Sequence, residues 1–215
     1  MQQFLSLKDH VYNYISDKIN EGILKPDEKI NEKVIMEDLN ISRTPVREAL
    51  IQLATEGYLE NIPRKGFIVK QVDSEKSKEL YALLGVLDAF AAELAFEFMT
   101  PEDINRMEAL ATQMTAAIET YDFKAYYNLQ TDFHFVYIRK CHNEELVNMM
   151  RLLKRKFIRQ TYSETDKEHM KTVLLKTNSE HTMIANYFKT DTNQEISNFL
   201  KNVHWNIDYA KYDVL

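Results

Sequence analysis

Ser42-Arg43-Thr44-Pro45-Val46-Arg47-Glu48-Ala49-Leu50 decides how this chain is read. Ser42 or Thr44 suits a helix N-cap, and Pro45 fits a first helical turn, where its missing N–H costs nothing. Val46, Ala49, Leu50 and Leu53 fall on one apolar stripe, and Gly57 suits the end of the helix. Arg43 and Arg47 then stand one turn apart on another face. Arginine donates two hydrogen bonds to the O6 and N7 of guanine, and the amides at a helix N-terminus favour phosphate. Thr44 is placed to bond a phosphate or a base edge.

Working outward, Leu7, Val11, Ile15 and Ile19 recur every four positions and predict a first helix that ends near Gly22. Pro26-Asp27 reads as a turn, Glu32 to Leu39 as a second short helix, and Asn40 as a left-handed turn residue. Beyond Gly57 the period changes. Tyr58 to Ile62 and Phe67 to Lys70 are short and rich in β-branched and aromatic residues, with Pro63-Arg64-Lys65-Gly66 between them as a hairpin loop. Helix, helix-turn-helix and two-stranded hairpin is the order of a winged helix-turn-helix. Arg64, Lys65 and flexible Gly66 form the wing tip, placed to touch the DNA backbone or minor groove.

The whole chain has a formal net charge of −6, which alone argues against nucleic acid. Residues 1–70 hold ten Lys and Arg against eleven Asp and Glu, so the case rests on where charges sit rather than on their total. Glycine and proline number only four each, which favours a mostly helical protein. Cys141 is the single cysteine, so no internal disulfide forms, as suits a reducing cytosol. Met1 to Leu5 lacks a basic flank and apolar run, and the most apolar stretch, Leu80 to Phe96, is short for a bilayer and carries Asp88 and Glu93. A cytoplasmic protein without a membrane span is expected.

After a polar joint at Val72 to Ser77, helical periodicity continues to the C-terminus, with helices over about 75–98, 101–119, 122–140, 143–162, 166–189 and 192–212. The fold class expected is mostly α: a winged helix-turn-helix over residues 1–72, then an all-helical bundle of about six helices over 73–215. Most of the aromatics of that bundle (Tyr126, Tyr127, Phe133, Phe135, Tyr137, Phe157, Tyr162, Tyr187 and Phe188) are assigned to its core. His134 lies mid-helix, and His181 and His204 lie on the last two long helices. If those helices pack antiparallel, three imidazoles converge on a divalent metal. His10, His142 and His169 fit no such pattern and read as structural or surface residues.

The stretch from Ser42 to Leu50, followed by Leu53, Glu56-Gly57 and Gly66 and preceded by Ile19-x-x-Gly22-x-Leu24-x-Pro26, resembles the signature of GntR-family bacterial regulators. Asp27 and Asn40 stand where glycine is usual, and both tolerate turns. The resemblance implies DNA contact by Arg43, Thr44, Arg47, Arg64, Lys65 and Gly66. Glu79-Leu80-Tyr81, Leu87-Asp88, Ala91-Ala92-x-Leu94-Ala95, Phe133-His134, Glu180-His181 and His204 resemble the FCD effector domain of the FadR subfamily, VanR-like branch. This second resemblance implies a homodimer on a near-palindromic double-stranded operator, with a small-molecule effector modulating its affinity.

The FCD resemblance also implies a divalent metal of the zinc, nickel or manganese type on His134, His181 and His204. The family's acidic ligand, one turn before the first histidine, is replaced here by Gln130, a neutral and poorer ligand. Asp132 points elsewhere. Leu84 occupies the position of an arginine that pairs with carboxylate effectors in many members, which weakens the expectation of an organic acid. Arg139, Arg151, Arg155 and Arg159 are the other cations on offer, the last three recurring every four residues as a solvated stripe. Three readings stay open: a small-molecule-responsive regulator, a regulator for which the metal is signal or structural staple, and a metal-dependent enzyme. The third lacks any legible general base, nucleophile or phosphate loop.

Overall fold

In the computed structural model, residues 6–20, 22–70, 74–155, 167–190 and 193–212 are described. The chain divides into two units, the first running to Lys76 and the second beginning at Ser77.

The first unit contains α1 (Leu7–Asn20), α2 (Glu32–Leu39), α3 (Arg43–Thr55), β1 (Leu59–Ile62) and β2 (Gly66–Val69). Asn31 caps α2, its side chain accepting from the amides of Lys33 and Val34, and Asn40 ends it at φ 52°. Ser42 occupies the cap position of α3, but its side chain makes no capping bond, so the capping expected of Ser42 is met in backbone conformation only. Val11, Ile15 and Ile19 of α1 meet Val46, Ala49, Leu50 and Leu53 of α3, with Ile35 of α2 and Leu59, Phe67 and Val69 of the hairpin closing the core. Leu50 is fully buried, and its truncation to alanine costs about 2–5 kcal/mol. The Tyr12 hydroxyl donates to Glu56 at 2.5 Å, tying α1 to the end of α3. β1 and β2 pair antiparallel from Leu59↔Val69 to Ile62↔Gly66. A third edge, not foreseen in the reading of Pro26-Asp27 as a turn alone, lies along β2: Asp27 donates to Val69, Val69 to Glu28, and Ile30 to Phe67, each at 2.9 Å.

The second unit contains α4 (Ser74–Ala95), α5 (Pro101–Glu119), α6 (Phe123–Ile138), α7 (Glu144–Arg155), α8 (Lys167–Lys189) and α9 (Asn193–Phe199). A capping box between Thr100 and Asp103, with Pro101 at the first position, starts α5. α5 packs on α6 and α8, and Asn178 of α8 donates to the Ala111 carbonyl and the Thr115 hydroxyl of α5 at 2.9 Å each. Phe157, Tyr162 and Arg159 lie outside the described residues. Among the described residues no helix is long and apolar enough to cross a membrane.

The expectation of one helix over 192–212 is corrected. After α9 the chain makes a π-turn, Leu200–His204, closed by a hydrogen bond from the Trp205 amide to the Leu200 carbonyl, and then a 3-10 segment, Ile207–Tyr212. The wider turn has a physical consequence. An α-helical continuation carries Val203 and His204 toward the buried side with Leu200. The π-turn keeps His204 there, rotates Val203 outward and brings Trp205 inward in its place, so that His204 and Trp205 are both nearly fully buried.

Candidate DNA-reading face and candidate metal centre

On α3 the stripe of Val46, Ala49, Leu50 and Leu53 is buried, which leaves Arg43, Thr44 and Arg47 exposed on the other side. Glu32, the first residue of α2, lies against both arginines: 3.4 Å from Arg43 Nε and 3.8 Å from Arg47 Nε. These are exposed pairs, worth little as stability, but they hold two guanidiniums side by side. At the hairpin tip Arg64 takes φ 66° and Gly66 φ 90°, the latter a conformation that side chains rarely adopt. Arg64 and Lys65 are exposed there.

In the second unit, His134 of α6, His181 of α8 and His204 of the π-turn come together. All three are buried, and a ring nitrogen from each lies within 4.8 Å of the others. His134 Nε2 is 3.2 Å from His204 Nε2. Imidazole nitrogens on a tetrahedral zinc, each about 2.0–2.1 Å from the ion, are separated by a similar distance.

The outer nitrogens are engaged. His134 Nδ1 lies 2.9 Å from Asp88 Oδ2, and His204 Nδ1 lies 3.0 Å from Glu180 Oε2. Asp88 also accepts from the Tyr137 hydroxyl at 2.8 Å and the Trp205 indole at 2.7 Å. Glu180 has the Tyr209 hydroxyl at 3.4 Å from its other oxygen. Burial by itself raises the Asp88 carboxyl, but the His134 ring, Lys154 and the indole N–H outweigh it and hold Asp88 below the usual carboxylate range. Burial, reinforced by the Lys154 charge, pushes His134 down to about 3, so the ring is neutral near pH 7. Burial likewise pushes His181 well below its usual value, with His204 and His134 adding to it.

This donor set fits a divalent cation. An anionic Asp88 takes the proton of His134 Nδ1 as donor, and Glu180 does the same for His204. In that arrangement the two Nε2 atoms, 3.2 Å apart, are the ones left to face a cation. The His181 ring is fully buried, and neither nitrogen has a partner at good hydrogen-bond geometry, the backbone of Thr177 one turn earlier being its one weak contact outside the triad. An orphaned buried polar atom costs about 1–3 kcal/mol, and a cation among the three rings takes one nitrogen of His181 together with the two facing Nε2 atoms.

The remaining expected residues are placed as follows. Gln130 is half-buried, one turn before His134 on α6. Leu84 is fully buried in α4. Arg139 and Arg151 flank the Phe135 ring at 5.6 and 5.9 Å. His10, His142 and His169 are exposed. Sequence reasoning missed Glu32, Asp88, Glu180, Tyr137 and Trp205 as members of these sites. One signal was present: Asp88 interrupts the most apolar stretch of the chain, where a carboxylate needs partners.

Residues 7–69 match the family model described as bacterial regulatory proteins, gntR family, and residues 79–201 match the FCD domain. The chain is 32% identical over 127 residues to the Nta operon transcriptional regulator of Aminobacter aminovorans, a match covering 59% of this chain and 60% of that protein. It is 29% identical over 149 residues to the HTH-type transcriptional regulator McbR of Escherichia coli K12, covering 69% of this chain and 67% of the relative. These matches thus span about three fifths to two thirds of the relatives' length. The solved structure of E. coli McbR/YncC shares the fold with a TM-score of 0.77 at 22% identity, over 97% of this chain and 98% of that one. The chain belongs to the GntR family of bacterial regulatory proteins, its N-terminal gntR region joined to an FCD domain.

Proposed function

We propose that this protein is a cytoplasmic, homodimeric transcriptional regulator that binds a near-palindromic operator, and that a divalent metal in its helical domain takes part in controlling that binding. Residues 1–72 serve as the DNA-binding domain and 73–215 as the effector-binding and dimerisation domain. Arg43, Thr44 and Arg47 read the major groove, while Arg64, Lys65 and Gly66 approach the backbone. His134, His181 and His204 hold the metal, of the zinc, nickel or manganese type. A bound cation would accept one nitrogen lone pair from each of the three imidazoles, and so join α6, α8 and the π-turn. The matched relatives are regulators, which sets the enzyme reading aside.

The observation that carries the metal reading is the pair of facing Nε2 atoms on His134 and His204 beside the poorly partnered ring of His181. A homodimer is supported by Leu83, Val86 and Phe90, which form one apolar face of α4 with each side chain nearly half exposed. Buried Leu84, in place of the arginine common in the family, supports the metal over an arginine-held organic acid as the controlling ligand.

The experiment is a titration of a labelled duplex from upstream of the protein's own gene, across salt, with zinc, nickel or manganese added or chelated. The proposal expects binding that weakens with salt, weakens further in Arg47→Ala, and shifts with metal. A metal that stabilises the fold but leaves DNA affinity unchanged makes the site a structural staple. Binding that Arg47→Ala leaves unaffected removes the role given to α3.

A further inference from the structure

Asp88 and Glu180 belong to different helices, yet they make the same contact. Each lies about 3 Å from the Nδ1 of one histidine, at 2.9 Å for Asp88 with His134 and 3.0 Å for Glu180 with His204. Each sits on the side of its ring away from the other two histidines, since the Nε2 atoms are the ones that meet. Asp88 is held by Tyr137 and Trp205, with the Tyr137 hydroxyl also 2.7 Å from His134 Nδ1 so that it bridges ring and carboxylate, and Glu180 is held by Tyr209. Both carboxylates are buried, where a charge without partners is costly. We infer that Asp88 and Glu180 are positioning residues of the metal centre. They fix the Nδ1–H tautomer of His134 and His204, aim both Nε2 lone pairs at the ion, and set a carboxylate behind each of two ligating rings without touching the ion. This compensates for Gln130, the neutral amide where the family places an acidic ligand. The inference rests on the metal reading proposed above.

The tautomer argument predicts the effect of an isosteric change. In Asp88→Asn the amide keeps an oxygen for the Tyr137 hydroxyl or the Trp205 indole, but its NH2 donates toward His134 Nδ1. The ring proton then moves to Nε2, the atom that must ligate. Glu180→Gln does the same to His204. Loss of such outer partners weakens metal affinity by about 10–100-fold.

The test measures zinc affinity of the full chain by competition with a chromogenic chelator, for wild type, Asp88→Asn, Glu180→Gln and, as a control on the exposed face of α6, Asp132→Asn. Cobalt(II) spectra at saturation report the ligand set, and thermal melts without metal report folding. The expected result is about a 10–100-fold loss in each of the two variants, none in the control, and an altered cobalt spectrum. Variants that lose metal-free stability yet bind zinc with wild-type affinity make the carboxylates structural and overturn the inference. If zinc does not bind wild type, or binds His181→Ala undiminished, the metal reading itself falls and takes this inference with it.

Discussion

The Nε2 atoms of His134 and His204 face one another at 3.2 Å, while the Nδ1 of each ring is turned toward its own carboxylate. His181 completes the group with no hydrogen bond stronger than a weak one to the backbone of Thr177. Removing His181 therefore acts oppositely with and without metal. In metal-free protein His181→Leu deletes two poorly partnered polar atoms and leaves the melting temperature unchanged or higher. With metal at a hundredfold excess over Kd, wild type gains about 2.7 kcal/mol, or roughly 5–10 °C for a chain of this size. The variant gains none. Thermal melts with and without zinc check this, and an equal zinc-induced rise in both proteins refutes it.

Trp205 is the only tryptophan, and its ring lies 5.6 Å from that of His134 and 5.4 Å from that of His204. Its fluorescence is thus a local reporter. Nickel or cobalt, with open d shells, quenches the emission in a saturable titration, and His181→Ala removes the saturable phase. Quenching that grows linearly with metal in both proteins points to collision rather than binding at the triad.

Glu32 stands between Arg43 and Arg47, so it competes with DNA for both. Glu32→Gln raises affinity for operator and random duplexes alike, because it removes a negative charge facing phosphate. Arg47→Ala costs about 1–3 kcal/mol on the operator and relaxes discrimination. Lys65→Ala lowers the salt slope by about one. Anisotropy titrations on both duplexes at several salt concentrations separate these outcomes. Equal losses on both duplexes for Arg47→Ala place that residue on phosphate instead.

Acid destabilises the metal-free protein by a definite route. His134, pushed down to about 3, and His181, pushed well below its usual value, stay neutral when folded, whereas both take up protons in the unfolded chain near pH 6.5. Their neutral burial leaves stability undisturbed above about pH 6.5, and stability falls as pH drops through that value, with His134 ceasing to contribute once pH passes its folded value. Two such groups give a limiting slope of about 2.7 kcal/mol per pH unit. Asp88, held below its usual range, works in the other window: its stabilisation is present above about pH 3.9 and is lost only below it. Denaturant melts from pH 7.5 to 5 check the slope, and His181→Leu halves it.

Gly85 of α4 faces the turn that carries His204. A Cβ there lies 3.1 Å from Trp205 Cβ and 3.3 Å from the Lys201 carbonyl. Alanine raises helix propensity by about 1 kcal/mol, but crowding a packed backbone costs about 1–3 kcal/mol. The expected sum for Gly85→Ala is a modest loss of stability together with weaker zinc binding, since the displaced backbone carries a ligand. Stability gained with zinc affinity unchanged shows that the turn yields freely.

Much of this molecule was legible in one dimension. Val46, Ala49, Leu50 and Leu53 repeat at the helical period, so the sequence by itself determined that α3 buries one face and presents Arg43 and Arg47 on the other. The hairpin's change of period and the glycine at its tip were equally local. The three histidines were nameable through the resemblance to the FCD domain, but their convergence is a long-range fact. His134 and His204 are 70 positions apart, and only packing brings them together. The tertiary structure alone decided that Asp88 and Glu180, rather than Gln130 or Asp132, supply the negative charge beside the rings. It also decided that a π-turn, invisible to a period of 3.6, brings Trp205 inward beside His204. The physical reason is one of range: period and capping are set by neighbours in sequence, whereas a buried charge is set by whichever donors the fold happens to bring to it.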